Sequence, residues 1–509
     1  MATLAVTGIG VTAEGSTTAP AAAPSLLPAG ETYTVTLLTG DVVTVTGAAS
    51  GCPVVSVRPA NPSGVLNRGC GPDGHVRVVP ATVAPLVDTT LDPALFDVTA
   101  LILDGYDDAR SADLPLIVQP GGQARAATSD PLVAGLAEVR ALPSIAAVAG
   151  RHSKATGADF LRSVSTRSAT AADSAPRVWL DRRVQATATS ATSAATVDHN
   201  LRQIAAPQAW AAGYTGTGAR VAVLDTGIDA THPDVAGQVA EKADFTVDGG
   251  DAGDRHGHGT HVASMIAGTG SASGGARSGV APGAKLVVGK VLDDNGEGTD
   301  SGVIAGMEWA ASRSDVVNMS LGGWAPSDGT DPLSLALDAL TAQTGALFVV
   351  AAGNAGPLDG TVSSPGAAGS ALTVGAVDGD DVVADFSSRG PLVNTRAAKP
   401  ELVAPGVDIV AARVPVLTHA SFASAVPDCG YARVPTSTTP WVPTTADSAP
   451  ATSSRPAPLV YASPPSSGSA APTSAALSCP AGQSGWRWAR TAAAPATCGE
   501  AMDVPEAAT

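Results

Sequence analysis

The chain has 509 residues, which corresponds to about three domains of ~150 residues each. Its 29 basic and 46 acidic side chains give a net charge of −17. We therefore expect no nucleic-acid partner and no binding to an anionic membrane, because polyanions would repel such a surface. The longest apolar runs, such as residues 345–352, are shorter than the ~18–20 residues that a membrane-spanning helix needs.

Residues 1–30 form a leader that is rich in small side chains. Residues 1–13 are apolar but lack the basic stretch that begins a secretory signal. The leader therefore resembles a signal peptide whose start has been clipped. A disordered Ala/Thr/Pro-rich segment is the alternative interpretation.

The five cysteines are too few for a disulfide scaffold, and their spacing shows no metal-ligand pattern. The pair Cys52 and Cys70 could close one loop, whereas Cys429, Cys479 and Cys498 form an odd remainder. This cysteine usage permits an oxidising compartment without requiring one.

Residues 31–150 are typical of a small α+β unit. Within them, residues 33–46 contain two β-branched runs around Thr-Gly-Asp, which predicts a β-hairpin. Residues 151–195 are rich in Ser, Thr, Ala and Arg and show no periodicity. We expect this stretch to be an irregular linker that contains a site of proteolytic processing.

The segment 196–413 alternates buried strands with amphipathic helices, which is the pattern of an α/β domain. Continuous apolar strands separated by helical crossovers predict a parallel sheet with helices on both faces. Such sheets place their chemistry at the carboxyl ends of the strands. The predicted strands are 221–224, 285–292, 316–319, 346–352 and 372–376, and the predicted helices are 259–267, 301–312 and 332–344.

Composition changes abruptly after Arg413. The last 96 residues contain 14 of the 39 prolines, a density that excludes long helices and central strands. We therefore expect 414–509 to be a disordered tail, or a segment of different origin from the rest.

Three polar side chains follow predicted strands or begin a helix in the α/β segment. Asp225 comes directly after the first strand, His258 stands at the start of an apolar helix, and Asn354 follows the fourth strand. A carboxylate, an imidazole and an amide at neighbouring strand ends predict an orienting acid, a general base and an oxyanion donor.

The motifs around these residues resemble those of the subtilisin-like serine proteases, or subtilases. Asp-Thr-Gly at 225–227 with His-Pro-Asp-Val at 232–235 resembles the aspartate motif of the family, and His-Gly-Thr-His-Val-Ala at 258–263 resembles its histidine motif. Three further blocks match in the family's order, at 279–284, 318–323 and 399–407. The resemblance covers about residues 200–413 and implies a subtilisin-like α/β fold and a serine endopeptidase that acts on polypeptides.

The resemblance also assigns roles to individual residues. Asp225 would support His258, and His258 would serve as the general base in preference to His256 and His261. Asn354 would stabilise the tetrahedral oxyanion. A strand that pairs with the substrate backbone would comprise Ser320, Leu321 and Gly322.

The resemblance implies that the protein is a secreted, extracellular zymogen in which residues 31–150 are a pro-region and an intramolecular inhibitor. An unrelated accessory domain is the alternative for these residues. Asp234 corresponds to a calcium ligand of the family, but 268–278 lacks the matching second half of that site. We therefore expect no cofactor and assign no metal ligand, with calcium as the alternative that Asp234 leaves open.

The sequence departs from the family at the nucleophile, because the expected Gly-Thr-Ser-Met-Ala-Thr-Pro motif is not found after residue 407. Ser437 is the least poor candidate; it lacks a preceding glycine and a following apolar helix. Our hypothesis is that the reading frame shifts, or the gene model errs, shortly after Arg413. The alternative is a catalytically inactive pseudoprotease or truncated product that binds peptides or inhibits a protease.

Overall fold

The computed structural model describes residues 26–61, 66–71, 73–121, 130–170, 175–187, 199–247, 249–275, 277–414 and 431–433. These residues form two compact units. The first unit contains the described residues up to Thr89, together with Pro93–Asp113 and Lys154–Leu161. The second unit contains the other described residues. The leader up to residue 25 and nearly all of the tail after 414 lie outside the described residues.

The first unit is built mainly from short antiparallel strands. The predicted hairpin over 33–46 is confirmed, because its two strands pair antiparallel from Thr32↔Thr46 to Thr36↔Val42. Cys52 and Cys70 form a disulfide with their Cα atoms 6.2 Å apart. The elements are β1 (Thr32–Thr36), β2 (Val42–Thr46), β3 (Val54–Arg58), β4 (Leu66–Cys70), β5 (Val76–Pro80) and α1 (Val98–Leu103).

The next stretch of chain, residues 113–180, contains strands and a helix. Part of it, from residue 151 onwards, was expected to be an irregular linker. Its elements are β6 (Asp113–Gln119), β7 (Ala137–Leu142), β8 (Ala147–Ser153), α2 (Gly157–Thr170) and β9 (Arg177–Leu180). The linker prediction is therefore wrong up to residue 187. Local composition misled it, since buried apolar side chains such as Val164 and Trp179 hold these elements in tertiary contacts. Strands β6 to β9 form a four-stranded sheet in the order β7-β8-β6-β9.

The rest of the second unit is built around a seven-stranded sheet in the order β12-β13-β11-β15-β17-β18-β19. All neighbours in this sheet pair parallel, so the predicted α/β fold class is confirmed. The elements are β10 (Arg183–Ala186), α3 (His199–Gln203), α4 (Ala206–Ala211), β11 (Arg220–Asp225), β12 (Val239–Asp244), α5 (His258–Ala267), β13 (Lys285–Lys290), β14 (Glu297–Thr299), α6 (Asp300–Ala311), β15 (Val316–Met319), β16 (Leu321–Gly322), α7 (Pro332–Thr344), β17 (Leu347–Ala351), β18 (Leu372–Val377), β19 (Leu402–Pro405), β20 (Val410–Ala412) and β21 (Tyr431–Arg433).

Two hydrophobic clusters cover opposite faces of the seven-stranded sheet. Val223 and Val288 point into the cluster that includes α5. Their neighbours Leu224 and Val287 point into the other cluster, with α6 and α7. Side chains of the four-stranded sheet, among them Ile117 and Trp179, belong to that second cluster as well.

Helix α7 begins and ends where sequence signals place it. Asp331 caps α7 by accepting the Ser334 amide at 3.0 Å, and α7 ends at Gly345, whose φ is +77°. These are the side-chain N-cap and glycine C-terminus that helices favour. Within the part of the chain that the structure describes, no helix is long and apolar enough to span a membrane.

Candidate active site

The parallel sheet brings three of the predicted site residues to one edge. Strand β11 ends at Asp225, β15 is followed by Ser320, and β17 leads into Asn354. These three strands are adjacent in the sheet. Because they run parallel, their carboxyl ends lie on the same side, where ligands of open α/β sheets bind.

The centre of the site is a buried pair formed by Asp225 and His258. Nδ1 of His258 lies 2.7 Å from Oδ1 of Asp225, and the two side chains are 3 % and 0 % exposed. The ring nitrogen donates this hydrogen bond, since an ionised carboxylate can only accept. Burial alone would lower the pKa of His258, but the charge and hydrogen bond of Asp225 outweigh burial and raise this pKa above its ordinary value.

Glycines allow the two motifs to approach closely. A Cβ on Gly259 would lie 2.3 Å from the carbonyl oxygen of Gly227, and Gly227 has a φ of +107°. Neither position accommodates another residue without a shift of the backbone. The glycines of Asp-Thr-Gly and His-Gly-Thr therefore let the backbone after β11 pack against the first turn of α5.

A second carboxylate, Asp254, organises the loop that precedes α5. Its Oδ1 accepts the Thr226 hydroxyl at 2.9 Å and the Gly257 amide at 2.7 Å, and its Oδ2 accepts the Thr260 amide at 2.8 Å. The sequence analysis did not assign this residue a role. Its position four residues before His258, just ahead of the histidine motif, was the available signal.

The neighbouring histidines are buried beside the pair. The ring of His256 lies 6.3 Å from the ring of His258, and His261 lies inside α5 with no exposed surface. Asp225 directs its short contact to His258. The structure therefore pairs Asp225 with His258.

A short antiparallel sheet lines the cleft next to His258. Strand β10 lies between β14 and β16 in this sheet. Gln185 pairs with Gly322 and Ala186 with Leu321, while the amide of Thr187 donates to the Ser320 carbonyl at 3.0 Å. The three predicted substrate-binding residues thus contact an extended segment of this same chain.

The opposite wall of the cleft was not predicted. Val184 pairs with Gly298, and the Ala186 amide donates to the Gly296 carbonyl at 3.0 Å. The side chain of Val184 is 1 % exposed and belongs to the same hydrophobic cluster as Leu321. Short, glycine-containing β14 carries no apolar run that could have marked it as a strand.

Strand β10 ends next to His258. The backbone of Thr187 is within hydrogen-bonding range of His258 and contributes to the raised pKa of that histidine. The chain from Arg183 to Thr187 therefore occupies the cleft as an extended strand up to His258.

Asn354 lies in an exposed loop directly after β17. The loop is held by the Ser388 amide, which donates to the Gly353 carbonyl at 2.9 Å, and by the Ala355 amide, which donates to the Ser388 hydroxyl at 3.1 Å. This leaves the side-chain amide of Asn354 on the surface, at the same sheet edge as Ser320. The remaining candidate, Ser437, lies outside the described residues.

Comparison with known proteins agrees with the motifs. The sequence profile described as the subtilase family matches residues 216–456. The matched range extends past Arg413 and includes Ser437, although that part of it lies largely outside the described residues.

Individual relatives match over less than half of the chain. Serine protease AprX of Bacillus subtilis (strain 168) is 39 % identical over 260 residues, which are 47 % of this chain and 56 % of the relative. Subtilisin DY of Bacillus licheniformis is 40 % identical over 219 residues, which are 42 % of this chain and 74 % of the relative. Subtilisin E of Bacillus subtilis (strain 168) is 40 % identical over 224 residues, which are 42 % of this chain and 54 % of the relative. The chain thus spans little more than half the length of AprX and of subtilisin E.

Proposed function

The chain belongs to the subtilase family, and from this premise we propose that it is a serine endopeptidase that hydrolyses peptide bonds with Asp225, His258 and a serine nucleophile. Asn354 donates to the oxyanion of the tetrahedral intermediate. The short contact between Asp225 and His258 supports this assignment. It commits Nδ1 of the imidazole to the carboxylate and leaves Nε2 to exchange protons with the reacting groups.

The chemical cycle needs only these groups and water. The serine oxygen attacks the scissile carbonyl carbon while its proton passes to Nε2 of His258. The same proton then goes to the departing amine, and water hydrolyses the acyl-enzyme by the reverse sequence. The raised pKa of His258 favours the protonated imidazole that forms in each step, because Asp225 balances its charge.

The observation that carries the proposal is the three-stranded arrangement of β10 between β14 and β16. An extended substrate binds as the central strand of this sheet through main-chain hydrogen bonds. Main-chain pairing is independent of sequence, so the site accepts polypeptides in general. Side chains that enter the walls of the cleft, as Val184 does, add the selectivity.

We further propose that the chain is a zymogen whose pro-region continues beyond the expected 31–150 as far as Thr187 and inhibits the enzyme by placing Arg183–Thr187 in the cleft. The pairs of Gln185 and Ala186 with β16 support this regulation, since no external peptide can form them while β10 is present. Consistent with a precursor, we propose a secreted, extracellular location. The peptide bond after Thr187 would be the point of processing.

The nucleophile decides between this function and its alternative. Ser437 is the least poor candidate for the serine, and it falls inside the range matched by the family profile. The departure of its surroundings from the family motif favours the second candidate, a peptide-binding pseudoprotease or inhibitor. In that case the cleft would bind extended peptides without cutting them.

A serine-directed phosphonate probe distinguishes the two candidates. The full chain carrying Ala186→Pro, which removes a hydrogen bond that holds β10 in the cleft, is incubated with the probe and with casein as an unstructured substrate, and the labelled residue is mapped by mass spectrometry. Labelling that is lost in Ser437→Ala and in His258→Ala, but kept in the control Ser469→Ala, supports the endopeptidase. Absence of labelling together with peptide binding would favour the pseudoprotease. Labelling at another serine would reassign the nucleophile.

A further inference from the structure

One more carboxylate of the α/β segment is buried outside the catalytic pair. Asp234, in the loop between β11 and β12, is 1 % exposed. Its Oδ1 accepts the Ala272 amide at 2.7 Å, and its carbonyl accepts the Thr269 amide at 3.0 Å. A buried carboxylate is strongly destabilising unless a positive charge compensates it.

The same corner of the fold contains a buried arginine. Arg277 is 7 % exposed and lines, together with Asp234, a cavity of about 20 Å³. Nine residues line this cavity, and these two are its charged members. A guanidinium suits a buried pair with a carboxylate because it keeps its charge and offers several donors in one plane.

The family resemblance would instead place a calcium ion beside Asp234, and the residues here do not fit one. Calcium takes six to eight oxygen ligands. Among the described residues, no three acidic, histidine or cysteine side chains are grouped as metal ligands. Two carbonyls of the adjoining loop are already used within it: Gly268 accepts from the Gly279 amide at 2.7 Å, and Gly270 accepts from Gly275 at 2.9 Å.

The adjoining loop is closed by further internal hydrogen bonds. The amide of Arg277 donates to the hydroxyl of Ser273 at 2.9 Å, and that hydroxyl donates to the carbonyl of Gly270 at 2.9 Å. These contacts anchor the backbone of Arg277 next to the turn that holds Asp234. The side chain of Arg277 supplies the positive charge of the cavity.

We propose that the guanidinium of Arg277 is the built-in counter-charge of Asp234 and takes the place of a metal ion in this corner of the fold. Residues of α5, the helix that begins with His258, line the cavity together with Asp234 and Arg277. Ser264, near the end of the helix that begins with His258, lines the same cavity, and its hydroxyl accepts the Ala412 amide at 2.8 Å. The pair therefore stabilises the helix that carries the general base without calcium.

A double-mutant cycle on the full chain tests the pair by calorimetry, which needs no enzymatic activity. Removing one partner of a buried ion pair leaves the other charge uncompensated. We expect Asp234→Asn and Arg277→Met each to lower the Tm by roughly 10 °C. The double variant should lose less than the more damaged single variant, and Arg277→Lys should recover part of the loss. Arg202→Met, at an exposed arginine of α3, is the charge-matched control and should shift the Tm by less than about 2 °C.

Calcium supplies the second arm of the test. The Tm of the unmodified chain should be the same in calcium chloride and in chelator. A rise of the Tm with calcium that Asp234→Asn abolishes would overturn the proposal. Additive losses in the cycle, or a loss in Arg277→Met no larger than in the control, would overturn it as well.

Discussion

The occupied cleft predicts that a single proline releases the inhibitory strand. In β10 the Ala186 amide donates to the Gly296 carbonyl at 3.0 Å. Proline at 186 has no amide hydrogen, so Ala186→Pro removes this bond from the middle of the three-stranded sheet. The residue before a proline favours extended backbone, which Gln185 already adopts in β10. The substitution therefore removes a main-chain hydrogen bond of the pairing and leaves Gln185 in a conformation that a following proline allows.

The magnitude follows from the burial of the acceptor. A main-chain hydrogen bond contributes about 1 kcal/mol net, and an acceptor left unsatisfied inside the protein costs about 1–3 kcal/mol. Gly296 is a buried residue, so the cost of about 1–3 kcal/mol for an unsatisfied acceptor applies to its carbonyl. A total of about 1–3 kcal/mol raises the fraction of molecules with β10 out of the cleft roughly 5- to 150-fold.

Hydrogen exchange of the full chain, read by mass spectrometry, measures this fraction. The peptide that covers residues 183–187 should exchange roughly 5- to 150-fold faster in Ala186→Pro than in the unmodified chain. Ala186→Ser keeps the amide hydrogen and a small side chain, and it should exchange at nearly the original rate. Equal exchange in the two variants would refute the view that main-chain pairing holds β10 in the cleft.

Three further predictions concern the catalytic pair, a buried acid and the core. Asp225→Asn should lower the pKa of His258, because the carboxylate charge that raises it is removed; NMR titration of the imidazole checks this, and an unchanged pKa would contradict the pairing. Asp300 is buried and its pKa is raised well above the ordinary value, first by burial, so the folded state binds its proton more tightly than the unfolded state. The resulting stability is complete below about pH 4, the unfolded pKa, and is lost as pH rises through the folded pKa; Asp300→Asn should therefore be more stable than the unmodified chain at neutral pH and lose this advantage near pH 4, as thermal unfolding at a series of pH values would show. Leu337→Ala should reduce the free energy of unfolding by about 2–5 kcal/mol, since this side chain is fully buried in the main hydrophobic cluster. Leu402→Ala, at a side chain that is 42 % exposed, is its control in denaturant titrations, and equal losses would contradict the assigned core.

The central elements of the α/β segment could be predicted because each carries its own local signal. The predicted helix 332–344 coincides with α7, which has an aspartate cap and a terminal glycine. The strand 316–319 coincides with β15, in which Val317 and Met319 are buried and the two alternate positions are partly buried. The edge strands β12 and β19 were missed, because β12 (Val239–Asp244) shows no continuous apolar run and β19 is only four residues long and ends in a proline.

The candidate site was predictable where its residues lie within short motifs. Asp225 and His258 were identified from two motifs 33 residues apart, and their glycines explain the close approach of the two segments. Asp254 lies four residues before the second motif, and its five accepted hydrogen bonds depend on how the loop folds over the end of β11. Pattern alone therefore identified the reacting groups and left out the residue that organises them.

The sequence by itself determined the strand and helix periodicity, the aspartate and histidine motifs and the acidic surface charge, because each depends on residues that are close in the chain. Only the tertiary structure decided that 183–187 is a strand, since its partners in β16 lie about 135 residues further along the chain. The same holds for Asp234 and Arg277, which line one cavity although neither carries a local signal for the other. Contacts of this kind depend on the burial and main-chain pairing of the folded chain, which local propensity does not contain.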